Sequence, residues 1–120
     1  MKDKLIKALG ELKNQFRDEA ELQQATEAIL RQETYAREYP LDEQSRIDFL
    51  VLDLANQKRI GIECKVKPNG MAVWRQLSRY AEHVDVLILL TTAPVQKVME
   101  PTRQDGKKIE FHLIELWKNL

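Results

Sequence analysis

Residues 84–91, Val-Asp-Val-Leu-Ile-Leu-Leu-Thr, form an almost unbroken apolar run, and this run restricts the available folds more than any other segment. A strand with one wet face alternates apolar and polar residues. A near-continuous run of this length instead marks a strand buried on both faces, the habit of parallel sheets covered by helices on each side. Just before it, Val73, Leu77, Tyr80 and Ala81 follow helical spacing after the Asn69-Gly70 break. A helix followed this closely by a buried strand reads as a crossover into a parallel pair.

Two further strands precede that helix. Arg46-Ile47-Asp48-Phe49-Leu50-Val51 and Gly61-Ile62-Glu63-Cys64-Lys65-Val66 are short runs of β-branched and large apolar residues, bounded by Gln44-Ser45, Asn56-Gln57-Lys58 and Pro68-Asn69-Gly70. Residues 35–41 read as an earlier strand, and 18–31 as a helix with Leu22, Ala25, Ile29 and Leu30 on one face. Downstream, 93–99 reads as a short helix, 101–108 as a polar loop, and 109–117 as a last strand with Phe111, Leu113 and Glu115 on one face. The order is α-β-β-β-α-β with a smaller helix and strand after it. The expected architecture is an α/β sandwich, a mixed central sheet flanked by helices.

The chain of 120 residues, 43% hydrophobic and 32% charged, suits one modest core, so a single domain over 1–120 is expected. Within it, 1–17 reads as an amphipathic N-terminal helix with Leu5, Leu9, Leu12 and Phe16 at helical spacing and no long apolar region of a signal peptide. No stretch approaches the roughly 18 apolar residues of a membrane span, so no membrane partner is expected. A single cysteine, Cys64, excludes an internal disulfide and suits a reducing, cytoplasmic setting, with Cys64 itself as buried filler.

Within the two strands lies a set of residues with chemical meaning. Side chains of a strand alternate, so Glu63 and Lys65 emerge on one face while Ile62, Cys64 and Val66 take the other. If the strands form a hairpin, Asp48 stands opposite that pair. Two carboxylates offer hard oxygens to Mg²⁺, and a neighbouring lysine can position water or stabilise developing negative charge. Gln76 and Tyr80, at i and i+4, project from one face of the next helix. A long amide beside a phenol there could contact DNA or orient the lysine.

Asp48, then Glu63-x-Lys65, then Gln76-x-x-x-Tyr80 together resemble the PD-(D/E)xK nuclease superfamily, in particular its branch with a Gln-x-x-x-Tyr motif on the helix after the catalytic strand. The resemblance covers roughly residues 19–115. It implies a restriction-endonuclease-like fold, dependence on Mg²⁺ or Mn²⁺, and cleavage of DNA phosphodiester bonds. By match, Asp48 and Glu63 would be metal ligands, with the backbone carbonyl of Cys64 as a further ligand, and Lys65 the catalytic lysine. Ile47 stands where the name-giving motif has proline.

Sites of this family often add an acid from the first helix. Glu19, three residues before Leu22, lies close to the apolar face of 18–31, whereas Glu21 and Glu27 point further round. Asp18 followed by Glu21 also makes a capping box. Net charge is zero, which argues against tight independent DNA binding and for a second copy or a larger nucleic-acid-processing complex. Lys67, Arg75 and Arg79 supply local positive charge, the last two on one helix face. Two other readings share this fold: a catalytically inactive interaction subunit of a DNA-processing or defence complex, and an RNA-directed nuclease. His83 and His112 lack zinc spacing, the four glycines form no phosphate loop, and Ser45 and Ser78 have no adjacent histidine.

Overall fold

Every side chain of one strand, Val86–Thr91, is buried, as a strand sandwiched between helical layers requires. The computed structural model describes residues 1–95 and 100–119. In order these residues form α1 (Lys2–Gly10), α2 (Glu19–Leu30), β1 (Tyr35–Pro40), β2 (Arg46–Asp53), β3 (Lys58–Lys65), α3 (Gly70–Tyr80), β4 (Val86–Thr91), β5 (Glu110–Glu115) and a 3₁₀ turn (Leu116–Lys118). The strands lie in the order β1-β2-β3-β4-β5. β1, β2 and β3 pair antiparallel, and β3, β4 and β5 pair parallel. The sheet is therefore mixed, with α3 as the crossover between β3 and β4.

Strand alternation sorts the side chains into two cores. On one face, Leu5 and Leu9 of α1 and Leu22 and Leu30 of α2 pack on Phe49, Val51, Ile60, Ile62 and Cys64. On the other, Val73, Trp74, Leu77 and Tyr80 of α3 pack on Ile47, Leu50, Leu87 and Leu89. The edge of Trp74 meets Phe111 of β5 at 5.7 Å between ring centroids. Gly61 makes the second core possible, because a Cβ there would stand 2.5 Å from the Ile47 Cδ1. Ile47 is wholly buried and fills the notch that glycine leaves.

α2 starts as its sequence suggests. Asp18 Oδ1 accepts the Glu21 N–H at 2.9 Å, while Glu21 Oε1 accepts the N–H of Arg17 at 2.6 Å. The return bond of the capping box thus goes one residue further back than the standard pattern. Glu27, which the helix turns away from the site, accepts the Tyr35 hydroxyl at 2.9 Å and Arg37 at 3.2 Å, tying α2 to β1.

Several boundaries differ from the sequence expectations; β3 begins at Lys58 rather than Gly61, and β4 at Val86 rather than Val84. The first helix ends at Gly10 rather than near residue 17. Glycine is a poor helix former, and Leu12 and Phe16 still reach the core from irregular backbone, held where Asn119 Nδ2 donates to the carbonyls of Gly10 at 2.7 Å and Leu12 at 2.9 Å. The last strand stops at Glu115 instead of residue 117. There the backbone turns so that Leu116 is fully buried and the Trp117 indole N–H donates to Glu115 at 3.0 Å. Residues 93–95 are irregular, and the remainder of the helix expected over 93–99 lies outside the described residues. Among the described residues no helix is long and apolar enough to cross a membrane.

Candidate active site

β2 and β3 keep an antiparallel register from Asp53↔Lys58 to Phe49↔Ile62. At the next position, side chains take over the main-chain donors. Asp48 Oδ2 accepts the Cys64 N–H at 2.8 Å, and Glu63 Oε1 accepts the Asp48 N–H at 3.0 Å. Each carboxylate thus holds the backbone of the opposite strand. Neither side chain can rotate away without leaving a buried N–H unpaired, so the two acids are fixed face to face.

In an extended strand the N–H and C=O of one residue project to the same edge. The Cys64 carbonyl therefore shares with its amide the edge that looks toward Asp48. Lys65 faces the other way along the ladder, its carbonyl accepting the Thr92 N–H at 3.2 Å. Its side chain returns to the acids, with Nζ 3.5 Å from Glu63 Oε2. Asp48, Glu63, Lys65 and the Cys64 carbonyl are thus brought together at one end of the β2–β3 hairpin.

The electrostatics of this cluster are unbalanced. Glu63 is 2% exposed, and burial, then the Asp48 charge, push its carboxyl up to about 8. Burial likewise raises Asp48, with the Cys64 N–H and the Lys65 charge opposing it. Two desolvated acids thus stand beside one ammonium. Their donors are hard oxygens, the chemistry that suits a small divalent cation.

Tyr80 closes the site from α3. Its ring is 1% exposed, and its hydroxyl stands 2.7 Å from the Arg46 carbonyl and 3.3 Å from Glu63 Oε2. Burial raises the phenol well above its ordinary range, and the neighbouring Glu63 and Asp48 charges add to this, so it stays protonated. The Gln76 amide also acts on that hydroxyl, which joins both α3 residues to the cluster. Cys64 points to the opposite face, fully buried and 3.6 Å from Thr26 Oγ1, with burial raising its thiol.

Glu19, at the start of α2, lies close enough for its charge to act on Asp48. Among the described residues, however, no group of three or more His, Cys, Asp or Glu side chains is gathered to hold a metal ion. Glu19 therefore stands outside the Asp48–Glu63 pair. Lys67, Arg75 and Arg79 are all exposed. Arg79 lines a cleft of about 340 Å³ together with Asp42, Glu82 and His83, where acidic neighbours dilute its charge.

Residue-by-residue reading missed two anchors. One is the Arg46 carbonyl that fixes Tyr80, a main-chain atom with no residue signature. The other is Thr92, whose hydroxyl donates to the Val66 carbonyl at 2.7 Å and pins the backbone just after Lys65.

No curated protein and no solved structure matches the chain. A family model does, described as the PD-(D/E)XK nuclease superfamily, over residues 1–115. The mixed sheet, its helical layers and the crossover α3 form a restriction-endonuclease-like fold. With the fold, the ordered acids and this match in agreement, the chain belongs to the PD-(D/E)XK nuclease superfamily.

Proposed function

We propose that this nuclease-superfamily protein hydrolyses DNA phosphodiester bonds with the help of Mg²⁺ or Mn²⁺. The observation that supports the reading is the facing pair of half-buried Asp48 and buried Glu63, whose hard oxygens meet beside the Lys65 ammonium. A cation held by the two carboxylates and the Cys64 carbonyl would polarise a phosphoryl oxygen and lower the pKa of bound water. Glu19, through water, is a candidate outer contact to the same ion.

The chain's own side chains do the rest. Lys65 orients the attacking water and stabilises negative charge developing on the phosphate. Tyr80 holds Glu63 and the Arg46 backbone, and Gln76 holds the Tyr80 hydroxyl and presents its amide to DNA. Lys67 and Arg75, with Arg79 further along the helix, contact backbone phosphates. With zero net charge, much of the DNA affinity comes from a second copy or a partner in a larger complex, in the cytoplasm.

The test is a substrate panel of linear, circular, branched and single-stranded DNA, with RNA beside it, with Mg²⁺, with Mn²⁺ and with chelator. Cation-dependent DNA cleavage supports the proposal. Cleavage of RNA alone reassigns the substrate. No cleavage together with no calorimetric binding of either cation overturns it in favour of an inactive interaction subunit.

A further inference from the structure

Thr91 ends β4 as a wholly buried residue whose hydroxyl has no hydrogen-bond partner. Its register partner across the parallel pair is Lys65. Register partners stand about 4.8 Å apart and send their side chains to the same face. That face is the α3 side, because the pair two residues earlier is Glu63 with Leu89, and Glu63 reaches Tyr80 of α3.

The backbone at this point is held twice by the end of β4. The Thr92 N–H donates to the Lys65 carbonyl, and the Thr92 hydroxyl donates to the Val66 carbonyl. The lysine stem therefore starts from a fixed point beside the Thr91 hydroxyl. An ammonium has three donors, and among the described residues Lys65 has one ion-pair acceptor, Glu63 Oε2 at 3.5 Å. Buried hydroxyls without a partner are uncommon. An unpartnered buried hydroxyl therefore lies on the same face as an ammonium with donors to spare.

We propose that Thr91 is the positioning residue of Lys65, its hydroxyl accepting a hydrogen bond from the ammonium directly or through one water. Glu63 and Thr91 then hold the ammonium between two acceptors, and its third N–H is left for the phosphate or the attacking water. The shared face follows from the register; the effect on turnover rests on the nuclease reading above.

Two variants test it. Thr91→Val keeps the shape and removes the hydroxyl, whereas Thr91→Ser keeps the hydroxyl. The valine variant is expected to lose about tenfold in kcat with KM unchanged, and the serine variant to recover most of the loss. Independently of activity, NMR of ¹⁵N-lysine protein reports the Lys65 ammonium, identified by its absence in Lys65→Arg. A slowly exchanging Lys65 signal is expected in the wild type and in Thr91→Ser, and its loss in Thr91→Val. An unchanged kcat and an unchanged Lys65 signal in Thr91→Val would overturn the proposal, as would a valine variant that only gains thermal stability. Should the wild type cleave nothing, the nuclease reading fails, and the NMR comparison alone decides the role of Thr91.

Discussion

The Tyr80 hydroxyl stands between two acceptors, the Arg46 carbonyl at 2.7 Å and Glu63 Oε2 at 3.3 Å. It has one proton to give. The shorter contact, to the Arg46 carbonyl, holds that proton more closely, and Glu63 Oε2 accepts the longer one from the same hydroxyl. Burial and the Asp48 charge push the Glu63 carboxyl up to about 8.

Tyr80→Phe removes the partner of a carbonyl at the start of β2. The expected cost is about 1–2 kcal/mol in urea-induced unfolding, with cleavage lowered and calorimetric metal affinity little changed. A loss of metal binding equal to the loss of cleavage would show that the phenol shapes the acids themselves.

Glu63 makes stability depend on pH with a defined sign. Its folded value of about 8 lies above the unfolded 4.5, so the native state holds a proton that the unfolded chain releases. The Glu63 contribution is fully present below 4.5 and is lost as pH rises towards 8, by at most about 5 kcal/mol. Glu63→Gln removes the charged form and is expected to flatten that decline. Thermal melts from pH 5 to pH 9 measure it, and a variant with the same slope as the wild type would assign the decline to other groups.

On the proposed reading a cation competes with that proton. Added Mg²⁺ or Mn²⁺ is expected to raise Tm, and to do so more at pH 8 than at pH 6, since ligand carboxylates must be ionised. Asp48→Asn is expected to abolish the rise. Scanning calorimetry with chelator as the reference reads both.

Lys65→Ala leaves the main chain and its Thr92 anchor in place. Folding and metal binding are expected to stay nearly intact while cleavage falls by about 10²-fold or more. Full activity in this variant would remove lysine from the mechanism.

Gly61→Ala tests the notch under Ile47. The new Cβ would meet Ile47 Cδ1 at 2.5 Å, Val84 Cγ1 at 3.2 Å and Leu87 Cδ1 at 3.3 Å. Overpacking of this kind costs about 1–3 kcal/mol. Pairing it with Ile47→Val is expected to return part of the loss, measured by chemical denaturation.

Much of this arrangement was legible in the chain because strand alternation is strict. Glu63 and Lys65 had to share a face, and the buried run at 84–91 had to lie inside the sheet, whereas the register that puts Asp48 on that face is set in three dimensions. Ile47, which departs from the proline of the motif, has its reason only in three dimensions, where it fills the space above Gly61. The end of α1 was hidden because Leu12 and Phe16 keep helical spacing yet reach the core from irregular backbone. Tyr80 read as a site residue beside Gln76, but its tether to Arg46 runs through a carbonyl that every residue possesses. Glu19, read from its place beside the apolar face of α2, lies near enough for its charge to act on Asp48.

The crossed bonds between Asp48, Glu63 and the opposing amides tie assembly of the site to correct pairing of the hairpin. Slipping β2 against β3 by one residue would send the two acids to opposite sides of the sheet. A mispaired chain would thus hold no facing acids. The donor set exists only once the hairpin has closed in this alignment.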